Sequence, residues 1–101
     1  MNRPLPIRVT RRVAGEISEA DAWWIRNRPD APEALAEELE RAFELIAAQP
    51  RLGAIAGSSN LSGVRRVHLA RIHYHLYYRV ISDAIEVLAF WHTSRSGPPR
   101  V

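Results

Sequence analysis

VRRVHLARIHYHLYYRVISDAIEVLAFWHT, residues 64–93, decides the fold, because it alternates side-chain character in three consecutive runs. A period of two marks strands that bury one face. The runs cover 64–69, 73–81 and 84–93, with residues 70–72 and the Ser82-Asp83 pair as joints. Joints this short force antiparallel neighbours. In the second run His73, His75, Tyr77 and Arg79 oppose Tyr74, Leu76, Tyr78 and Val80. In the third, strict alternation sets Ile85, Val87, Ala89 and Trp91 against Glu86, Leu88, Phe90 and His92. The expected core face is Val67, Leu69, Leu76, Tyr78, Val80, Val87 and Trp91. The expected open face is Arg66, His68, His75, Tyr77, Arg79 and His92, with Leu88 and Phe90 among them. Large apolar side chains on a cationic face imply that something lies across it.

Working outward, the N-terminal half supplies the cover for the core face. Ile7 to Thr10 reads as a short strand, placed at an edge by Pro4 and Pro6. Val13, Ile17, Ala20 and Trp24 then recur at helical spacing, and Pro29 closes that helix near Arg28. Gly15 weakens the first turn and points to a late start. Trp23 and Trp24 are adjacent and cannot both enter one core, so one lies at a groove or partner surface. Asp30 and Glu33 flank Ala31-Pro32 in the pattern of a capping box, opening a helix that runs to about Gln49. Its apolar stripe is Leu35, Leu39, Ala42/Phe43 and Ile46, and Glu37, Glu38, Glu40, Arg41 and Glu44 form a solvated face. Two helices joined this tightly form a hairpin, and their stripes need a sheet to pack on. Residues 51–63, rich in Gly and Ser, read as a loop. The fold class is α+β: a short strand, a helical hairpin and a three-stranded antiparallel meander, with the helices on one sheet face. One domain spans 1–101, with 95–101 as a flexible tail.

Composition narrows the function. With no cysteine, disulfides and thiolate zinc sites are excluded, which fits a reducing cytoplasm. No apolar run approaches the roughly 20 residues that span a bilayer. Every basic residue is Arg. Residues 1–50 carry seven Arg against nine Asp and Glu, whereas residues 51–101 carry seven against two. The second half therefore favours an anionic partner, and Arg suits planar recognition of phosphate or carboxylate. No spacing supports a Ser/His/Asp triad. His68, His73 and His75 could approach a zinc set, but no carboxylates stand beside them in sequence, so neither metal nor cofactor is expected. His68, His75 or His92 could serve as acid and base around a phosphodiester held by Arg66, Arg79 and Arg95. A plain DNA-binding module fits poorly, since no helix presents a basic exposed face.

The order of these elements resembles the RelE/ParE superfamily of bacterial type II toxins. The resemblance covers about Ile7 to Arg95. It rests on Pro50-Arg-Leu-Gly53 after the second helix, on Tyr77-Tyr78-Arg79, and on Trp91-His92-x-x-Arg95. It implies one of two activities. The ribosome-dependent mRNA endonucleases, such as RelE and YoeB, would map their basic set onto Arg66, His68, His75, His92 and Arg95. They usually finish with a catalytic Tyr, and no Tyr follows Tyr78 here. The ParE branch, which the helical hairpin and the His-x-x-Arg ending resemble more closely, implies a binding protein that poisons DNA gyrase. On that branch Arg79, His92 and Arg95 would meet the target. A cognate antitoxin, ParD-like with an acidic C-terminal segment, would form a hetero-oligomer through Trp23, Arg66, Arg79, Leu88 and Phe90, its segment covering either Leu88 and Phe90 or the helical hairpin's groove near Trp23.

Overall fold

The computed structural model describes residues 3–57 and 60–101. The chain runs β1 (Ile7–Val9), α1 (Arg11–Asn27), α2 (Ala34–Ala48), β2 (Ala54–Ile55), β3 (Arg65–Leu69), β4 (Tyr74–Ile81) and β5 (Ala84–His92). The sheet order is β1-β5-β4-β3-β2. β3, β4 and β5 form the expected antiparallel meander, while β1 joins β5 in parallel, with Ile7 opposite Ile85. The two-residue strand β2 lies in the segment read as loop; Ala54 and Ile55 pair with Arg66 and Arg65. Two residues are too few for periodicity to register.

Both helices cover one sheet face. Val13 and Trp24 from α1 and Leu35, Leu39, Ala42 and Ile46 from α2 meet Leu69, Leu76, Tyr78, Ile85, Val87 and Phe90 in one buried cluster. These are the helical stripes set by sequence spacing, and their burial is the main stabilising term. Gly15 does not delay α1. The Thr10 hydroxyl accepts from the Val13 amide at 3.2 Å, and that cap starts the helix at Arg11.

The expected capping box does not form. Glu33 occupies the cap of α2 without a side-chain hydrogen bond. The turn is closed instead by Ala31, whose amide donates to the Arg28 carbonyl and whose own carbonyl accepts from the Ala34 amide. The Trp24 indole also donates to that carbonyl, at 2.8 Å. Trp24 is thus the inward member of the tryptophan pair, and Trp23 is exposed.

One further departure matters more. Tyr77 lies opposite Ala89 and Tyr78 opposite Val87, so Leu88 is an extra residue in β5. Two residues opposing one is a β-bulge, and it reverses the alternation beyond it. Phe90 turns into the helix-covered core and Trp91 turns out, the reverse of the expected placement. Val80, expected in the core, is exposed beside Ala48, Pro50 and Leu52, past the end of α2.

Candidate functional site

The outer face of the sheet has an apolar centre. Val64, Tyr77, Leu88 and Ala89 are buried there, packed against Ala56, Trp91 and Val101. The covering material that Leu88 called for is partly the chain's own tail. The Trp91 indole donates to the Gly97 carbonyl at 3.0 Å, and the Asn60 amide donates to the Val101 carbonyl at 2.9 Å. Pro99 is buried. Pro99 and Val101 therefore pack on the protein, while Gly97, Pro98 and Arg100 are exposed.

Around this centre sits the cationic rim. Arg66 and His68 on β3 face Tyr77 and His75 on β4, and His75 faces Trp91 on β5. The His68 and His75 rings meet edge to face, with centroids 4.9 Å apart. Burial lowers the pKa of His75, and the charges of Arg66 and His68 push it the same way. At the strand end the Arg95 guanidinium lies over Trp91, 3.6 Å from the ring centroid. Arg79 is different: its Nε donates to Glu86 at 2.9 Å across the β4–β5 hairpin. Among the described residues only Arg12, Arg41, Arg71 and Arg79 enter ion pairs, so Arg66 and Arg95 face no carboxylate within ion-pair distance.

The residues expected to work together as a nuclease are divided. His92 lies on the helix side of the sheet, edge to face with Tyr74 at 5.0 Å. Its Nδ1 accepts from the Ser94 amide at 3.1 Å and lies 2.7 Å from the Ser94 hydroxyl. It lines a groove with Glu16, Glu19, Ala20, Tyr74 and Arg95, whereas His68 and His75 occupy the opposite face. The bulge is the physical cause. His73 also leaves the expected row: it sits in the β3–β4 turn at φ 63° and lines a cleft with Trp23, Trp24 and Arg28. Among the described residues no three His, Asp, Glu or Cys side chains gather to hold a metal ion.

Of the residues expected to meet an antitoxin, Trp23, Arg66 and Arg79 reach the surface. Phe90 is 3% exposed and stacked on Tyr74 with centroids 4.1 Å apart, so its expected contact is corrected to a core role. Leu88 is buried on the outer face. The second surface expected for an antitoxin segment, the groove of the helical hairpin, is open. A cavity of about 320 Å3 opens between α1 and α2, lined by Ala14, Ile17, Leu35, Leu39 and Phe43, with Asp21 and Glu40 also at its wall. The signal was present in Phe43, which widens the α2 stripe beyond what one sheet contact uses.

Pro50 to Gly53, read as a motif, has a structural reason. The Tyr78 hydroxyl donates to the Pro50 carbonyl at 2.7 Å and accepts from the Gly53 amide at 3.0 Å. Arg65 donates to the Gly53 carbonyl at 2.7 Å. A Cβ on Gly53 would stand 2.9 Å from the Tyr78 oxygen, so only glycine admits this approach. The clamp fixes the exit of α2 to the sheet and so sets the distance between the hairpin and the outer rim.

No curated protein matches the chain. Among solved structures, a chain titled "Chromosomal ParDE TA system from P. aeruginosa" shares its fold with a TM-score of 0.72. The identity is 18%, covering 89% of this chain and 97% of that one. Residues 7–97 match the family described as "ParE toxin of type II toxin-antitoxin system, parDE", a span that includes both helices, the whole sheet and the Trp91–Arg95 stack. The chain belongs to the ParE toxin family of type II toxin–antitoxin systems.

Proposed function

We propose that this toxin inhibits DNA gyrase in the cytoplasm and is neutralised by a ParD-like antitoxin. The observation that carries the choice over the mRNA endonuclease is the separation of His92 from His68 and His75 by the thickness of the sheet. General acid and base must reach one phosphodiester from hydrogen-bonding distance. His92, on the opposite face, cannot act together with His68 and His75, which divides the set that the endonuclease reading calls for. What remains is a binding protein with distinct surfaces. Arg95, near His92 at the end of β5, and Arg79 at the far end of the sheet are the target contacts in this reading. The groove between α1 and α2 suits the apolar side of an antitoxin helix, with Trp23 as a neighbouring contact. An acidic antitoxin segment then runs over Arg66 and Arg79, giving a hetero-oligomer.

The test is a supercoiling assay with purified toxin and gyrase. Inhibition with accumulation of cleaved DNA, relieved by the antitoxin, is expected. Unimpaired supercoiling at large toxin excess sinks the reading. Primer extension on mRNA from arrested cells gives the opposing result: cleavage in codon register establishes the endonuclease instead.

A further inference from the structure

We infer that the row Arg66, His68, His75, Trp91 and Arg95 is a binding strip for the phosphodiester backbone of DNA. Its choice of DNA over other polyanions rests on the gyrase reading. The strip crosses three adjacent strands through direct pairings, His68 with His75 and His75 with Trp91. At strand spacing it spans roughly 10 Å, about the axial rise of three nucleotides in one strand of a duplex.

Three features point to phosphate as the ligand. Arg66 and Arg95 have no carboxylate within ion-pair distance among the described residues, while Arg79 on the same face is paired with Glu86. Arg66 and His68 lie beside His75 and both oppose its protonation, so this end of the strip is short of negative charge and a bound anion relieves the repulsion, whereas Arg95 also borders a groove with Glu16 and Glu19. The Arg95 guanidinium lies 3.6 Å from the Trp91 ring centroid, a contact that restricts its donors before a ligand arrives.

The same face argues against a peptide as the primary ligand. Peptide recognition needs apolar anchors seated in pockets. Here the apolar centre is already filled, since Val64, Tyr77, Leu88 and Ala89 are packed with Ala56 and Val101. What is left open is cationic, imidazole and aromatic, the mixture that tracks a nucleic-acid backbone. An acidic antitoxin segment would then act on this strip as a competitor, placing carboxylates where phosphates bind.

The experiment is fluorescence anisotropy of the full chain with labelled 20-mers of duplex DNA, single-stranded DNA and RNA, and with polyglutamate, at about 50 mM salt. Arg66→Ala/Arg95→Ala removes two charges from the strip. Arg41→Ala/Arg71→Ala removes two charges from the Glu38 ion pairs on the opposite layer. The strip variant is expected to weaken DNA binding at least tenfold and to flatten the salt dependence by about one unit per lost phosphate contact, while the other stays within about twofold. His68→Asn/His75→Asn, which leaves both arginines, is expected to fall between them. Equal losses in the two charge-matched variants, absence of DNA binding, or binding confined to RNA or polyglutamate overturns the inference. Gyrase inhibition measured in parallel separates the two ideas. Inhibition without DNA binding leaves the gyrase reading standing and removes the strip. DNA binding through the strip without inhibition does the reverse.

Discussion

The two faces of this sheet are built by different means. The inner face is sealed by two helices, and its cluster runs without a break from Val13 to Phe90. The outer face is sealed over a much smaller centre, with Ala56 and Val101 packed on its margin. A face covered by helices can commit its large aliphatic side chains to burial. A face covered by a strap keeps its margins open, and the cations collect there. The charge follows the same division. Eight of the eleven carboxylates lie between Glu16 and Glu44 on the helical layer, with Asp30 between the helices and Asp83 and Glu86 at the sheet hairpin's far end. The larger buried cluster therefore lies on one side of β3 to β5, and the exposed Arg66 and His68 lie on the other.

That contrast can be broken by mutation. Leu76→Ala, at a fully buried inner position, is expected to cost about 2–5 kcal/mol in urea unfolding. Leu88→Ala on the outer face should cost less, about 2 kcal/mol at the low end of that range, since the strap can settle into the space. Equal losses would erase the distinction between the faces. Tyr78→Phe removes the hydroxyl that joins Pro50 and Gly53, with an expected cost of about 1–3 kcal/mol because two backbone groups lose their partner. Wild-type stability in that variant would mean the clamp is ornamental. Arg79→Ala breaks a partly exposed pair with Glu86 and should cost less than about 1 kcal/mol of folding stability.

The smallest effect is linked to pH. His75 holds its proton less readily in the folded chain than in the unfolded one, whose ordinary value is 6.5. Its contribution is fully present above pH 6.5 and is lost as pH falls toward the lowered folded value, because the unfolded chain then takes up the proton first. Melting temperature followed from pH 8 to 5 should fall less in His75→Asn than in wild type. Parallel curves would contradict the burial of His75 beside Arg66 and His68.

Much of this was legible in sequence, and the exceptions have physical causes. The helical stripes of Val13 to Trp24 and Leu35 to Ile46 and the meander joints at Ser82-Asp83 follow from periodicity, which reports burial directly. Arg66, His68 and His75 were placed on one face because β3 and β4 pair without interruption. His92, Phe90 and Trp91 were not, because a bulge leaves no mark in composition: Val87, Leu88, Ala89 and Phe90 are all apolar, so the pattern cannot say where the phase slips. The α2 cap departs from its sequence pattern because Ala31 closes the turn through Arg28 and Ala34 and takes a hydrogen bond from Trp24, contacts that the Asp30–Glu33 spacing does not reveal. The contacts of the tail leave no periodic mark in the sequence, because they run through the Gly97 and Val101 carbonyls and the isolated side chains of Pro99 and Val101.

The bulge at Leu88 has a consequence in the arithmetic of insertions and deletions. Leu88 and Ala89 both belong to the outer cluster, so one residue can be lost there without moving Phe90, Trp91 or His92 to a new face. One residue gained between Ala89 and Trp91 has the opposite outcome. It carries His92 to the side of His75 and drives Trp91 beneath α1, trading a binding strip for an assembled set of imidazoles. In this fold a chain one residue longer at that strand is therefore a different chemical surface, although its length, composition and topology would scarcely register the change.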